Sequence, residues 1–253
     1  MPERNVLVTG AASGLGLAIA EAFAEQGGYR LLLTDLEDSS LPQVAKRLDA
    51  TWHAADLSRP DDCDRLIDAA LEQLGTIDIL INNAGLQRVS PIESLDDADW
   101  DRLIAVMLSA PFRLTRGVWP SMKTRGWGRI INMASIHALV ASPHKAAYVA
   151  AKHGLLGLTR TAALEGGEHG ITVNALCPAY VRTPLVENQI ADQARIQGLP
   201  EEEVVERIML APSAVRRLIE PKEVAALALY LCSDAAASIS GAALPIDGAW
   251  TAR

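Results

Sequence analysis

The chain has 253 residues, 49% of them hydrophobic, and a formal net charge of −8. This length allows one large apolar core, and the acidic balance excludes the basic footprint of a nucleic-acid-binding protein. No apolar run reaches the roughly 18 residues that a membrane-spanning helix needs, and the start of the chain has no signal-peptide pattern. Three widely separated cysteines without metal-ligand spacing predict reduced thiols, no metal site and a cytoplasmic protein.

Short apolar runs alternate along the chain with longer patterns of helical period. The runs that predict strands are residues 5–9, 30–35, 51–56, 77–85, 128–135, 171–178 and 241–247. The patterns between them predict helices, of which the longest spans residues 96–125. Residues 184–219 predict an insertion of loop and helix, charged in its middle, which we expect to act as a substrate lid.

Seven strands separated by helices indicate an α/β protein. The strands are apolar on both faces, which is typical of a parallel sheet covered on both sides by helices. Right-handed crossovers then make the fold doubly wound and Rossmann-like. We predict a single domain over residues 1–253, with a seven-stranded, mostly parallel sheet.

The segment "TGAASGLG" lies between the first strand and the first helix. Gly10 permits a tight turn, Gly14 lets the backbone approach a phosphate, and Gly16 allows close helix packing. The helix that follows presents free N–H groups and a partial positive charge to a pyrophosphate. The loop, with Ser13 and Leu15, therefore predicts a dinucleotide site.

Polar residues end the next strands at the same edge of the sheet. Asp35 closes the second strand, where a carboxylate accepts hydrogen bonds from ribose hydroxyls and repels a 2′-phosphate, so we predict NAD rather than NADP. Asp56, followed by Leu57, ends the third strand within reach of an adenine amino group. The alternative is a helix-capping or turn residue for Asp35 and a turn residue for Asp56. The fourth strand ends in Asn83, Ala84 and Gly85, where small residues let a cofactor lie close.

"YVAAK" places Tyr148 and Lys152 four residues apart on one helix face. An ammonium near a phenol favours the phenolate, so we expect Lys152 to lower the pKa of Tyr148 and make it a general acid and base. Ser135 ends the fifth strand and is positioned to bond the reacting substrate oxygen. The alternative is a surface Tyr–Lys pair. The glycine loop and the strand-end serine in the same chain make the catalytic interpretation the stronger one.

With these motifs, the chain resembles the short-chain dehydrogenase/reductase family over its whole length. The resemblance rests on "TGAASGLG", "NNAG", Ser135, "YVAAK" and the Pro178, Val181 and Thr183 of "P-x-x-V-x-T". It implies hydride transfer to or from a nicotinamide cofactor, with tyrosine as acid and base, lysine on the ribose and serine on the carbonyl. Thr183 matches the position that holds the carboxamide. A homotetramer is also implied.

Within that family the chain is most similar to bacterial D-3-hydroxybutyrate dehydrogenases, through "SIHALVASPHKAAYVAAKHGLLGLT", "RTPLVENQI" and "DGAWTAR". The resemblance implies NAD-dependent interconversion of (R)-3-hydroxybutyrate and acetoacetate. The substrate carboxylate would be clamped by the residues that match the group's polar set: Gln87, His137, Lys145 and Gln189. Each of these taken alone also fits a solvated loop residue. His53, His144 and His169 are expected at the surface.

The chain departs from that pattern at several positions. Tyr180 stands where a tryptophan usually packs on the substrate, and Ala249 replaces a glycine. The lid sequence, residues 208–221, keeps little of the group's usual polar pattern. Met107 stands where the family usually has an asparagine that helps hold a water linked to the catalytic lysine. Two alternatives therefore stay open: the same chemistry on another short hydroxy acid or secondary alcohol, and a non-catalytic dinucleotide-binding or regulatory protein.

Overall fold

The structure is a computed structural model that describes residues 3–252. Its seven strands form one sheet in the order β3-β2-β1-β4-β5-β6-β7, and every neighbouring pair is parallel. The strands are β1 (Arg4–Thr9), β2 (Tyr29–Thr34), β3 (Thr51–Trp52), β4 (Ile79–Asn82), β5 (Gly128–Met133), β6 (Ile171–Pro178) and β7 (Ala243–Ile246). The order reverses direction between β1 and β4, and the carboxyl ends of the strands there form the crevice where open sheets of this kind bind ligands.

Ten α-helices are described. They are α1 (Gly14–Gln26), α2 (Leu41–Arg47), α3 (Pro60–Leu74), α4 (Asp97–Ile104), α5 (Ala110–Arg125), α6 (Ala146–Gly166), α7 (Pro184–Glu187), α8 (Gln189–Gln197), α9 (Glu201–Val204) and α10 (Pro221–Leu231). Successive strand residues pack into two cores on opposite faces of the sheet. Val6 and Val8 pack with α1 and α10 on one face, and Leu7 packs with α3 and α5 on the other. The predicted doubly wound α/β fold is confirmed, and the sheet is wholly rather than mostly parallel.

The helix predicted for residues 96–125 is interrupted. A π-helical turn, Ala105–Ser109, joins α4 to α5, and the Ala110 N–H bonds to the Ala105 carbonyl five residues earlier. Pro111 explains the interruption, because it has no N–H to give to the carbonyl of Met107 four residues before it. The Met107 carbonyl is therefore left without an α-helical donor.

The third strand is shorter than the predicted 51–56. Only Thr51–Trp52 pair as β3. The backbone N–H groups of His53 and Ala55 still bond to the carbonyls of Leu33 and Asp35, so the segment continues along β2 toward the crevice.

Residues 184–219 form a helical cap over the carboxyl edge of the sheet. α7, α8, α9 and a second π-helical turn, Val205–Met209, enclose a small apolar cluster of Val186, Ala194, Val204 and Met209. Ile219 pairs with Val181 and returns the chain to the sheet. In the described part of the chain, no helix is long and apolar enough to cross a membrane.

Candidate active site

A cavity of about 300 Å³ opens at the carboxyl ends of the strands. It brings together the site residues predicted from the sequence, with the exception of Gly16. Its walls include Gly10, Ser13, Gly14, Leu15, Asp35, Asp56, Leu57, Asn83, Ala84, Gly85, Gln87, Ser135, His137, Lys145, Tyr148, Lys152, Pro178, Tyr180, Val181, Thr183 and Gln189. Residues far apart in the chain therefore share one site because the parallel strands end at one edge.

The glycine loop is held by main-chain contacts. Gly10 has a φ of +64°, and a Cβ added there would lie 2.9 Å from the Ala84 Cα. A Cβ on Gly16 would lie 2.0 Å from the Gly10 carbonyl oxygen, so this buried glycine lets α1 pack against the loop rather than lining the cavity. Asn83 Nδ2 donates to the carbonyls of Thr9 and Gly10 and fixes the loop from the other side.

The start of α1 offers unused donors to the cavity. Ser13 precedes the helix, and its side chain makes no capping hydrogen bond. The first turn carries no acidic residue, so its N–H groups and the positive end of the helix dipole are available to phosphate oxygens. A cradle that a Cβ would fill and a helix start without a cap together fit the phosphates of a dinucleotide.

Two carboxylates mark one end of the cavity. Asp35 accepts hydrogen bonds from the N–H groups of Ala12 at 2.9 Å and Leu36 at 2.8 Å, so it also ties the glycine loop to β2. Asp56 accepts from the hydroxyl of Ser58 at 2.7 Å, and this bond lowers the pKa of Asp56. Each aspartate therefore stabilises a local turn, which was the alternative to a binding role, and its carboxylate also lies at the cavity wall.

Ser135, Tyr148 and Lys152 meet near the centre of the cavity. The Ser135 hydroxyl accepts from the His137 N–H at 3.2 Å, which leaves its own proton to donate. Lys152 is buried, donates to the Met133 carbonyl at 2.7 Å, and lies 5.5 Å from the centre of the Tyr148 ring. α6 presents the tyrosine and the lysine, and the end of β5 presents the serine.

The expectation of a lowered Tyr148 pKa is wrong. Burial raises the pKa of Tyr148 to about 12, and the hydrogen bond to Ser135 offsets this only in part. Burial also lowers the pKa of Lys152 to about 8. Both groups lose hydration on burial, and this loss is the largest cause of each shift. Tyr148 is therefore a protonated hydroxyl at neutral pH.

The opposite end of the cavity holds a buried cation. Lys145 is 4% exposed, and its Nζ donates to the Tyr180 hydroxyl and to Gln189 Oε1, each at 3.1 Å. Gln189 is held in turn by a 2.7 Å bond from its Nε2 to the Leu185 carbonyl. None of the ion pairs in the described residues involves Lys145. This end therefore carries a positive charge with only neutral partners.

His137 stands between the reacting centre and this cation. Burial, with Lys145 nearby, lowers the pKa of His137 to about 3, so the imidazole is neutral. Its Nδ1 is buried without a hydrogen-bond partner in the described residues. Gln87 also lines the cavity, but its Oε1 accepts from the N–H of the adjacent Arg88 and bonds to none of the other three clamp residues.

Two side chains at or beside the cavity, Trp250 and Arg102, carry rings or charge that the sequence analysis did not assign to the site. The Trp250 ring lies 6.1 Å from the His137 ring and 5.9 Å from the Tyr180 ring, between centres, and backs both. Its place in "DGAWTAR", directly after the last strand, was the available signal. Arg102, on α4, lines the cavity near Asp56, and no local pattern marks it.

Met107 is a packing residue by its side chain. It is 1% exposed and clusters with Leu103, Ala147 and Ala151. A Cβ on Gly85 would lie 3.6 Å from the Met107 sulfur, so the thioether sits directly behind the cavity wall. The side-chain amide of the usual asparagine is missing, while the backbone carbonyl, to which Pro111 cannot donate an α-helical hydrogen bond, is present.

Comparisons with known proteins agree with this geometry. A family described as enoyl-(acyl carrier protein) reductase matches residues 10–251. The chain is 47% identical to a D-beta-hydroxybutyrate dehydrogenase of Rhizobium meliloti (99% of each chain) and 41% identical to one of Cupriavidus necator (99% of this chain, 98% of the relative). A crystal structure of a variant actinorhodin polyketide ketoreductase with NADPH superposes with a TM-score of 0.93 at 33% identity, over 99% of each chain. The chain thus belongs to the short-chain dehydrogenase/reductase family.

Proposed function

We propose that the protein is an NAD-dependent dehydrogenase that interconverts (R)-3-hydroxybutyrate and acetoacetate. The observation that carries this proposal is the buried Lys145 ammonium, which has only the neutral groups of Tyr180 and Gln189 as partners. Burying a charge without an opposite charge is costly, so this end of the cavity favours an anionic ligand. The names of the two dehydrogenase relatives support a hydroxy acid as that ligand.

The clamp and the reacting centre divide the work on such a substrate. Lys145 binds the carboxylate through a charge-assisted hydrogen bond, and Gln189 keeps the ammonium in place. The neutral His137, with an unpaired Nδ1, is available to donate a second bond. Fixing the carboxylate holds the carbinol carbon at Ser135 and Tyr148, which lowers the entropic cost of reaction.

The chain's own residues handle the proton. In the oxidation direction, Tyr148 takes the proton of the substrate hydroxyl, and the Ser135 hydroxyl donates to the same substrate oxygen. Lys152 carries positive charge beside the phenolate that acts as base. A bound nicotinamide dinucleotide supplies the hydride acceptor and, in its oxidised form, a positive ring that favours this phenolate.

We expect alkaline pH to favour oxidation. Because burial raises the pKa of Tyr148, the phenolate fraction, and with it kcat/KM for oxidation, rises about tenfold per pH unit up to about pH 8, and more slowly above it, where Lys152 loses the charge that supports the phenolate. A pH profile of oxidation from pH 6 upward measures this. Tyr148→Phe serves as the control and removes activity at every pH, and a flat wild-type profile would rule out Tyr148 as the base.

The choice of NAD rests on Asp35. Its carboxylate is fixed by two backbone N–H groups at the cavity wall, where it accepts ribose hydroxyls and repels a 2′-phosphate. We expect kcat/KM with NAD to exceed that with NADP by about 100-fold or more, because a like-charge contact between the carboxylate and a 2′-phosphate costs several kcal/mol. Parallel initial-rate measurements with both cofactors decide the preference.

The substrate is tested with a panel that separates the clamp from the chemistry. Purified protein with NAD is given (R)-3-hydroxybutyrate, its (S) enantiomer, a longer (R)-3-hydroxy acid and butan-2-ol, and NADH absorbance is followed. Highest turnover of the (R) four-carbon acid supports the proposal, and butan-2-ol, which lacks a carboxylate, should be the poorest substrate. Preference for the longer acid would mean that the protein performs the same chemistry on another hydroxy acid. This second candidate is favoured by Tyr180, which stands where the related enzymes usually have a tryptophan. Cofactor binding without turnover of any of them would mean a non-catalytic protein.

We also infer a homotetramer in the cytoplasm. Leu164, on α6, is 84% exposed and Phe112, on α5, is 49% exposed, so both helices present apolar side chains that a partner copy would cover. Light scattering measures the mass.

The three free cysteines are buried and fit a reducing compartment. Residues 184–219 fit a substrate lid, since Leu185, Val186 and Gln189 line the cavity.

A further inference from the structure

A second, smaller cavity of about 130 Å³ adjoins the clamp. This side cavity shares Lys145 and Tyr180 with the main cavity and has no residue of the glycine loop or of the Ser135, Tyr148 and Lys152 centre. Its walls are largely apolar and include Val89, Ile196, Ile208 and Trp250. Since a water molecule occupies roughly 30 Å³, the side cavity has room for a carboxylic acid of a few carbons.

The polar groups of the side cavity suit an anion. Lys145, Ser142, His144 and Gln193 are able to donate hydrogen bonds, and the described lining contains no acidic residue. Gln193 is 6% exposed, and its Nε2 has no hydrogen-bond partner in the described residues. A buried amide without a partner is costly and uncommon, so the Gln193 amide is a donor that a ligand atom in the side cavity would satisfy.

The backbone beside the side cavity is strained. His144, expected at the surface, is half-buried and has a φ of +64°, in the left-handed region that a residue with a Cβ seldom adopts. Its carbonyl accepts from the Ser90 N–H at 2.9 Å, which holds this conformation. Strained residues of this kind cluster at ligand sites, and this one immediately precedes Lys145.

We propose that the side cavity binds a short aliphatic monocarboxylate, whose carboxylate lies between Lys145 and Gln193 and whose carbon chain packs on the apolar walls. Such a ligand weakens substrate binding. The Lys145 ammonium has three N–H groups, and two already bond to Tyr180 and Gln189, so one remains for a carboxylate from either cavity. The inhibitory effect rests on the proposed role of Lys145 in holding the substrate.

Butyrate is the probe, at constant ionic strength set with sodium chloride. Isothermal calorimetry on the cofactor-free protein compares wild type, Gln193→Leu and the control Gln43→Leu, whose residue is exposed on α2. We expect Gln193→Leu to weaken butyrate binding about fivefold or more, as the loss of one hydrogen bond to the ligand predicts, and Gln43→Leu to match wild type. Equal butyrate affinity in wild type and Gln193→Leu would overturn the proposal.

Kinetics then test the link to the substrate. We expect butyrate to raise the KM for hydroxybutyrate in wild type. In Gln193→Leu the inhibition constant for butyrate should increase by the same factor as its dissociation constant. The KM measured without butyrate should be the same in both proteins. Inhibition equal in the two proteins would place butyrate in the main cavity alone and refute the side site. Gln193→Glu is the second variant should Gln193→Leu fail to fold, and it should exclude butyrate by charge repulsion.

The two proposals fail separately. If no hydroxy acid is turned over, the proposed function fails, while calorimetry with butyrate still decides the side cavity. If turnover is normal and Gln193 does not affect butyrate, only the side cavity is rejected.

Discussion

The two ends of the main cavity are built by different means. The cofactor end, formed by the glycine loop, Asp35 and Asp56, is fixed by the main chain: Gly16 packs against the Gly10 carbonyl, and Asn83 bonds to loop carbonyls. The clamp end is fixed by side chains that come from distant segments, with Lys145 bonded to Tyr180 and Gln189. A main-chain site leaves a local pattern in the sequence, whereas a side-chain site depends on the whole fold to assemble it.

The two ends also differ in charge. Asp35 and Asp56 place two carboxylates at the cofactor end, with Arg102 near Asp56, while Lys145 places an ammonium at the clamp end. Under the proposed function the opposite signs would orient the ligands, because ribose hydroxyls donate to carboxylates and a substrate carboxylate accepts from an ammonium. If this division is correct, each end can be damaged without damage to the other.

The largest effect is expected from Gly16→Ala. The added Cβ would lie 2.0 Å from a backbone oxygen that cannot move freely, so we expect the free energy of unfolding to fall by about 3 kcal/mol or more and cofactor binding to be lost. Gly167→Ala is the matched control, since nothing lies within 4 Å of its added Cβ and the stability should change by less than about 1 kcal/mol. Chemical denaturation and cofactor titration measure both. Normal cofactor binding by Gly16→Ala would show that the loop is not rigid.

Lys145→Met should damage the clamp end alone. A hydrogen bond to a charged group contributes about 1.5–3 kcal/mol, so kcat/KM for hydroxybutyrate should fall roughly 10- to 150-fold. The dissociation constant for NAD should stay unchanged, as should the low rate with butan-2-ol. Lys46→Met, at an exposed position on α2, should leave all three quantities unchanged. Loss of NAD affinity in Lys145→Met would contradict the separation of the two ends.

His137 should make the clamp end sensitive to acid. Its pKa is about 3 in the folded protein against 6.5 for an ordinary histidine, so between these values the unfolded chain binds more protons. The free energy of unfolding therefore decreases as pH falls through this window, by up to about 1.4 kcal/mol per pH unit. His137→Gln has no such proton to bind, and its denaturation curves should lose less stability between pH 6.5 and 4.5. Parallel curves for the two proteins would mean that His137 is protonated in the folded state.

The smallest effect is expected at Met107, whose side chain packs behind the cavity-lining Gly85. Met107→Asn restores a polar side chain beside a carbonyl that already lacks a helical donor, so we expect a gain of a few-fold, about 2–5, in turnover at neutral pH. The affinity for NAD should change little. Single-turnover and steady-state rates measure the gain, and unchanged or lower turnover would mean that protons leave the site by another route.

The sequence predicted the cofactor end better than the clamp end. Strand, glycine turn and helix are adjacent in the chain, so the role of Gly16 follows from local spacing. The clamp was predicted only through resemblance, since Gln87, Lys145 and Gln189 are separated in sequence and each looks like a loop residue. The break in the helix at Met107 was missed because apolar periodicity does not register the absent N–H of Pro111. The raised pKa of Tyr148 was missed because the spacing of Tyr148 and Lys152 gives their proximity but not their burial.

The uncompensated charge of Lys145 has a consequence for how long the protein survives. A buried cation without an anion weakens the unliganded fold, and a carboxylate that binds it stabilises only the folded state. The hydroxy acid is then a folding ligand as well as a substrate. We expect resistance to heat and to proteolysis to follow the supply of that acid, so that the protein persists where it has something to oxidise.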